Sequence, residues 1–179
     1  MWTFAGALRP EPVASRLELV APPVAAAVAS LGDPDDVGVA AIDAGLADTA
    51  AFCEHYGVSP ADSANCVVVK GKRGGDIRYA ACLVLATTRA DVNGLVRKRL
   101  DVRSASFAPM DEAVELTGME YGGITPIGLP AGWPILVDAA VAASPGVVVG
   151  AGIRGAKLFL PGAALAALPG AEVIESLGR

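Results

Sequence analysis

The sequence predicts an α/β (α+β) fold in which many short strands alternate irregularly with short helices. Three observations carry this. Hydrophobic residues make up 53% of the 179 positions and aromatics only 5%, so the core is built from Ala, Val and Leu. Short runs rich in β-branched residues, such as CVVVK and VVVG, recur along the chain and read as strands. Gly, Pro and Asp clusters cut the chain between them. A chain of this length is one domain by default and can bury a core without disulfides or metals.

The elements follow in order. Residues 1–36 read as an N-terminal helical extension: loose helical character over residues 12–20, a break at Pro22 and Pro23, then an Ala-rich stretch over 24–31. The GDPDD turn at residues 32–36 closes it. Residues 37–42 read as a short buried strand. Asp48 and Thr49 are placed to cap a helix through Phe52 and Cys53 to Tyr56, with Gly57 as its stop. Residues 66–70 and 79–86 read as an antiparallel hairpin around a longish glycine-rich reversal, GKRGGD. Residues 91–100 read as a short basic helix. Pro109 opens another helix, with Asp111 and Glu112 at the positive end of its dipole, and Gly118 ends it. Residues 122–130, GGITPIGLP, hold too much Gly and Pro for a helix and read as an ordered loop. Residues 133–137, 147–149 and 157–160 read as strands. A short helical piece begins at Leu165, and residues 172–174 end the fold.

Composition excludes several function classes. The net charge of −5 argues against broad, sequence-independent coating of nucleic acid, DNA included. Three cysteines, Cys53, Cys66 and Cys82, form no C-x-x-C pair, so neither a zinc site nor a disulfide framework is expected. The one histidine, His55, has no second ligand nearby, and no G-x-S-x-G elbow is present. No metal and no cofactor is expected. Apolar stretches are too short to span a membrane, and the N-terminus lacks a signal-peptide pattern, so a cytoplasmic location is expected.

One motif invites a different reading. Gly150, Gly152 and Gly155 spell G-x-G-x-x-G after a strand-like run. The dinucleotide fingerprint requires a helix opening at its last glycine, with its N-terminus facing a pyrophosphate. Here AKLFLP follows, and Pro161 would break such a helix almost at once. The motif is therefore expected to be a tight turn between two strands.

Three segments, taken together, resemble a known family. They are VVVK ending at Lys70, TGMEYGGITPIGLP followed by PILVDAAV, and VVVGAGIRGAKLFLPGAAL. In this order they are similar to the YbaK/prolyl-tRNA-synthetase-associated domain family of aminoacyl-tRNA deacylases, over roughly residues 37–175. GGITPIG carries the family's G-x-x-x-P loop, from Gly122 to Pro126. The resemblance implies a curled mixed β-sheet flanked by short helices, with residues 1–36 packed on an editing domain at 37–179. It implies a trans-editing hydrolase that cleaves the ester of mischarged aminoacyl-tRNA, carrying a small amino acid such as alanine or cysteine on proline tRNA. The partners implied are the acceptor end of aminoacyl-tRNA and, second, a synthetase. A non-catalytic tRNA- or synthetase-binding module of the same family is the alternative.

The residues then take candidate roles. Lys70, a cation at a strand end, is placed to bind a phosphate or carbonyl oxygen of the terminal nucleotide; a lysine simply reaching into water is the plainer reading. Gly122, Gly123, Ile124, Thr125 and Pro126 form a loop whose backbone amides can approach a carbonyl or oxyanion. Asp138 matches a frequent family aspartate that orients Lys70, orients water, or caps the next helix. Gly152 and Arg154 belong to the AGIRG turn, with Arg154 contacting the tRNA end or merely solvated. Arg97, Lys98, Arg99 and Arg103 are candidates for phosphate contact. Two features depart from the family pattern: Gly71 stands where many members place a polar side chain beside the lysine, and no histidine follows Gly122.

Overall fold

The computed structural model describes residues 2–179. Among these residues nine strands form two sheets. The first holds β1 (Glu11–Pro12), β2 (Gly38–Ala41), β8 (Ala156–Leu160) and β7 (Val147–Gly150) in that order, all antiparallel. The second runs β5 (Ser104–Phe107), β3 (Ala64–Arg73), β4 (Asp76–Leu85), β6 (Ile135–Asp138) and β9 (Ala171–Ile174). Its β5–β3–β4 part is antiparallel, while β4, β6 and β9 pair in parallel. The predicted mixed α/β architecture is present, divided between these two sheets. A parallel bridge from Ser63 to Val148 joins them.

The period-two rule explains how the sheets share side chains. Along β8, Leu158 and Leu160 enter the main core with Val39, Val147, Val149, Leu83 and Val137. Phe159, between them, points to the other face and packs with Phe52, Val58 and Val148. On the far face of the second sheet, Val69, Cys82, Val84 and Leu136 pack against Val96 and Leu100.

The N-terminal segment differs from its predicted shape. Its residues 13–19 form short 3-10 turns after β1, and α1 spans Pro22–Val28. Pro22 and Pro23 therefore start a helix, because proline's missing N–H costs nothing in the first turn. Val13, Val20, Val24 and Val28 lie in the main core.

Helix α2 (Thr49–Tyr56) ends at Gly57 with φ 69°, as predicted. The β3–β4 hairpin is tighter than predicted: the strands pair from Ala64 with Leu85 out to Arg73 with Asp76, leaving only Gly74 and Gly75 as the turn. Residues 92–96 form a π-helical turn held by the Asp91 carboxylate, which accepts from the N–H groups of Gly94 and Leu95. Only α3 (Arg97–Arg99) continues it. Helix α4 (Met110–Thr117) stops at Gly118, φ 66°. Strand β5 and helix α5 (Ala139–Ala142) carry no strong pattern in the sequence. Helix α6 (Gly162–Ala166) opens directly after Pro161 rather than at Leu165.

Gly150, Gly152 and Gly155 fall at the end of β7 and in the turn to β8, so the G-x-G-x-x-G spelling is a hairpin turn.

Candidate active site

A cavity of about 350 Å³ opens where the two sheets meet. One wall is β3, from Ala64 to Val68. Opposite it lie Gly122 and Ile124, with Gly150 at the end of β7 and Lys157 on β8. Ala47, Asp48 and Thr49 close one side, and Phe107, Ala108 and Ala113 the other. Small apolar side chains dominate. At this volume it sits near the low end of ligand pockets, about 300–1,000 Å³.

The loop from Gly122 to Pro126 is locked by close backbone contact. Gly152 N–H donates to the Gly123 carbonyl at 2.7 Å, and Glu120 N–H to the Gly152 carbonyl at 2.9 Å. Gly122 has φ +87°, which a side chain rarely adopts. Gly123 lies so close to Ile153 that a Cβ would come within 2.6 Å of its carbonyl carbon. Gly122 and Ile124 both line the cavity, and neither backbone N–H finds an acceptor among the described residues.

Thr125 is fully buried, its amide facing the Met119 sulfur and its hydroxyl without a partner among the described residues. Pro126 faces away, into a second cavity beside Trp133. Gly152 is scaffold: it packs on Ala21 and Val24.

Arg154 straps the cavity mouth. Its Nε donates to the Ala44 carbonyl at 3.2 Å, and one terminal nitrogen lies 3.4 Å from both Asp48 Oδ1 and the Tyr121 carbonyl. Its own N–H donates to Glu120 at 2.9 Å. Asp48 and Tyr121 both line the cavity, so this guanidinium bridges two of its lining residues.

Lys70 does not line the cavity. It lies on the same face of β3 as Cys66 and Val68, beyond them, and its ammonium donates to both oxygens of Glu112 on α4, at 2.8 and 2.9 Å. The Tyr79 hydroxyl also donates to Glu112. The Lys70 and Glu112 side chains are 17% and 26% exposed. Lys70→Ala is expected to cost about 1 kcal/mol, a partly exposed pair being worth less than a buried one, and to lower Tm by about 2–4 °C. Thermal melting checks this.

Asp138 is also apart from the cavity. It is buried at the N-cap position of α5 but makes no capping bond with its side chain, which lies instead near Thr88 and Gly178. Arg97, Lys98, Arg99 and Arg103 do not line the cavity; Arg103 N–H donates to the Lys72 carbonyl on β3, and Arg99 pairs with Glu172 on β9.

The cavity gathers residues that the sequence reading did not single out as a site. Thr49 Oγ1 donates to Asn65 Oδ1 at 2.6 Å. Cys66 also faces the cavity, but burial pushes its thiol well above the ordinary range and Cys82 adds to that, so it stays protonated and is a poor nucleophile. Lys157 is the single cation lining the cavity and is only 8% exposed. Its ammonium donates to the Ala47 carbonyl at 3.0 Å and lies 5.1 Å from the centre of the Phe52 ring. Burial lowers its pKa; Cys53 and Asp48 oppose that shift and Arg154 adds to it. The signal for Lys157 was present: a lysine inside the otherwise apolar strand AKLFL. It went unread because only the fold brings that strand beside residues 47–49.

Among the described residues no helix is long and apolar enough to cross a membrane, and no cluster of His, Cys, Asp and Glu suits a metal ion.

No curated protein sequence matches the chain. Among solved structures, one described as "a putative trans-editing enzyme for prolyl tRNA synthetase" superposes with a TM-score of 0.73 at 23% identity, covering 94% of this chain and 98% of that one. A structure from work on epitope grafting onto scaffold proteins superposes at 0.74, with 23% identity over 89% of this chain and 97% of that one. A hypothetical protein gives 0.65 at 23% identity, over 74% and 85%. At these identities the likenesses establish the fold. The sequence profile of the aminoacyl-tRNA editing domain matches residues 43–168, which include every residue lining the cavity. The chain belongs to the aminoacyl-tRNA editing domain family.

Proposed function

We propose that the protein is a trans-editing deacylase that hydrolyses the ester of a mischarged aminoacyl-tRNA carrying a small, uncharged amino acid such as alanine or cysteine, with proline tRNA as the first substrate to test. The observation that carries this reading is the pair of unengaged N–H groups, Gly122 and Ile124, on a rigid loop at the wall of a small apolar cavity. Such donors serve an oxyanion without reorganising during the reaction.

The ester is already activated, so the protein has only to place water and stabilise charge. Water oxygen bonds to the carbonyl carbon, and the bond from that carbon to the ribose oxygen breaks. One water proton passes to the ribose oxygen, and the acid formed releases the other to solvent. Gly122 and Ile124 hold the developing oxyanion. Ala64, Ala108 and Ala113 leave room for a small side chain and exclude a large one. Lys70 takes a positioning role here: through Glu112 it fixes α4, which carries Ala113.

Deacylation across a panel of mischarged tRNAs tests the proposal. Alanyl- and cysteinyl-tRNA(Pro) are expected to be cleaved at least tenfold faster than prolyl-tRNA(Pro). Saturable tRNA binding without hydrolysis of any ester would instead favour a binding module. Lys70→Ala is expected to keep kcat within about threefold, with the small loss of Tm given above. A large loss of kcat at unchanged Tm would return Lys70 to direct contact with substrate.

A further inference from the structure

The cavity contains a charge that backbone donors alone do not explain. A buried ammonium is costly, and lysine is almost never buried without a partner. Lys157 has three N–H donors but one protein acceptor among the described residues, Ala47. Phe52 offers its ring face, which stabilises a cation without consuming a donor directionally. No carboxylate lies within ion-pairing distance of Lys157 among the described residues. The ammonium is thus held in place by one carbonyl and one ring, on a cavity wall that carries no other cation.

We propose that Lys157 is a catalytic residue of this site: its ammonium meets the carbonyl oxygen of the aminoacyl ester and, with the Gly122 and Ile124 amides, stabilises the negative charge that builds there. This rests on the editing reading of the cavity. The geometry fits the role. Ala47 immediately precedes Asp48 and Thr49 on the rim, so the bond from Lys157 to Ala47 also fixes that rim. The low polarity around Lys157 strengthens its interaction with an oxyanion relative to water.

The charged and titratable groups that face Lys157 are Cys53 on α2, Asp48 just before α2, and Arg154 in the β7–β8 turn. Burial, the largest influence, favours the neutral amine. The active form is the ammonium, so the enzymatic rate falls on the alkaline side, at a pH below the ordinary lysine value of 10.5. Burial raises the Cys53 pKa, and its thiol is not in the reaction.

The test compares wild type with Lys157→Met, which keeps the apolar stem, and with Lys157→Arg, which keeps the charge. Enzyme-dependent hydrolysis of the best ester in the panel is followed against pH, with spontaneous hydrolysis subtracted. Lys157→Met is expected to lose about 100-fold in kcat, the usual effect of removing one oxyanion donor, with KM changed less than threefold. Its residual rate lacks the alkaline decline. Lys157→Arg retains part of the activity, and Cys53→Ala retains both rate and decline. A Lys157→Met rate within threefold of wild type, with the same pH profile, overturns the inference and leaves the editing reading standing. If Lys157→Met does not fold, Lys157→Gln is read in its place: a loss of at least tenfold in kcat with KM little changed supports Lys157, and a rate within threefold of wild type overturns it. If wild type cleaves no ester, the editing reading fails, and binding of an amide-linked, non-hydrolysable aminoacyl-tRNA decides about Lys157. Binding at least tenfold weaker for Lys157→Met keeps the contact; equal binding, or none by either protein, overturns it.

Discussion

Gly150→Ala is expected to lower Tm by about 2–12 °C and deacylation by about 100-fold. The end of β7 runs directly under the Gly122–Pro126 loop. A Cβ on residue 150 would lie 2.5 Å from the Gly123 carbonyl oxygen, 2.8 Å from the Ile124 oxygen and 2.9 Å from the Gly123 carbonyl carbon. All three atoms are backbone, so no rotamer change relieves the contact and the loop itself must shift. Overpacking of this kind costs about 1–3 kcal/mol, and each kcal/mol lowers Tm by about 2–4 °C at this chain length. The effect on rate exceeds the effect on stability, because a displacement of about 1 Å at a reacting centre can cost 10²-fold. Gly32→Ala, with nothing within 4 Å of its Cβ, is the control. Melting and turnover of the two variants are compared. A Gly150→Ala protein that matches the control in both would mean the strand and loop are not in contact.

Phe52→Ala is expected to cost about 3–5 kcal/mol, a fall in Tm of about 6–20 °C. Phe52 is fully buried and packs with Cys53, Val58, Val148 and Phe159. Its ring centre lies 5.3 Å from that of Tyr56 and 5.1 Å from the Lys157 ammonium. The substitution therefore opens a void and removes the face on which the cation rests. Phe52→Leu separates the two effects: it restores most of the apolar volume but no ring. It is expected to recover most of the lost stability while leaving turnover below wild type. Full recovery of both would show that the ring face contributes nothing to the site.

Much of the fold was legible in local patterns. Gly57 and Gly118 end their helices because only a left-handed residue closes them cheaply. Short apolar runs, several rich in β-branched residues, placed β3, β4, β7 and β8, and the proline after AKLFL dismissed the dinucleotide reading. Two misreadings have a common cause. Pro22 and Pro23 read locally as a break, although proline is as good a helix opener as it is a breaker, and only context separates the two. Strand β5 was missed because Ser104 and Ser106 carry no β-branched or apolar signal. Pairing with β3 holds it in place.

The candidate site divides along the same line. The sequence by itself determined the small-residue core, the hairpin turn at Gly150 to Gly155, and the loop whose glycines and proline mark close backbone approach. Those features are local, because turn and strand chemistry act over a few neighbouring residues. Only the tertiary structure decided which lysine shares the cavity with that loop. Lys70 stands at the end of a strand, where charge is unremarkable, and its position beside α4 gave it to Glu112. Lys157 lies inside a buried strand, and the packing of β8 against Ala47 and Phe52 turned it toward the cavity. Charge in a site is set by neighbours that are distant in the chain, and no period of the sequence encodes them.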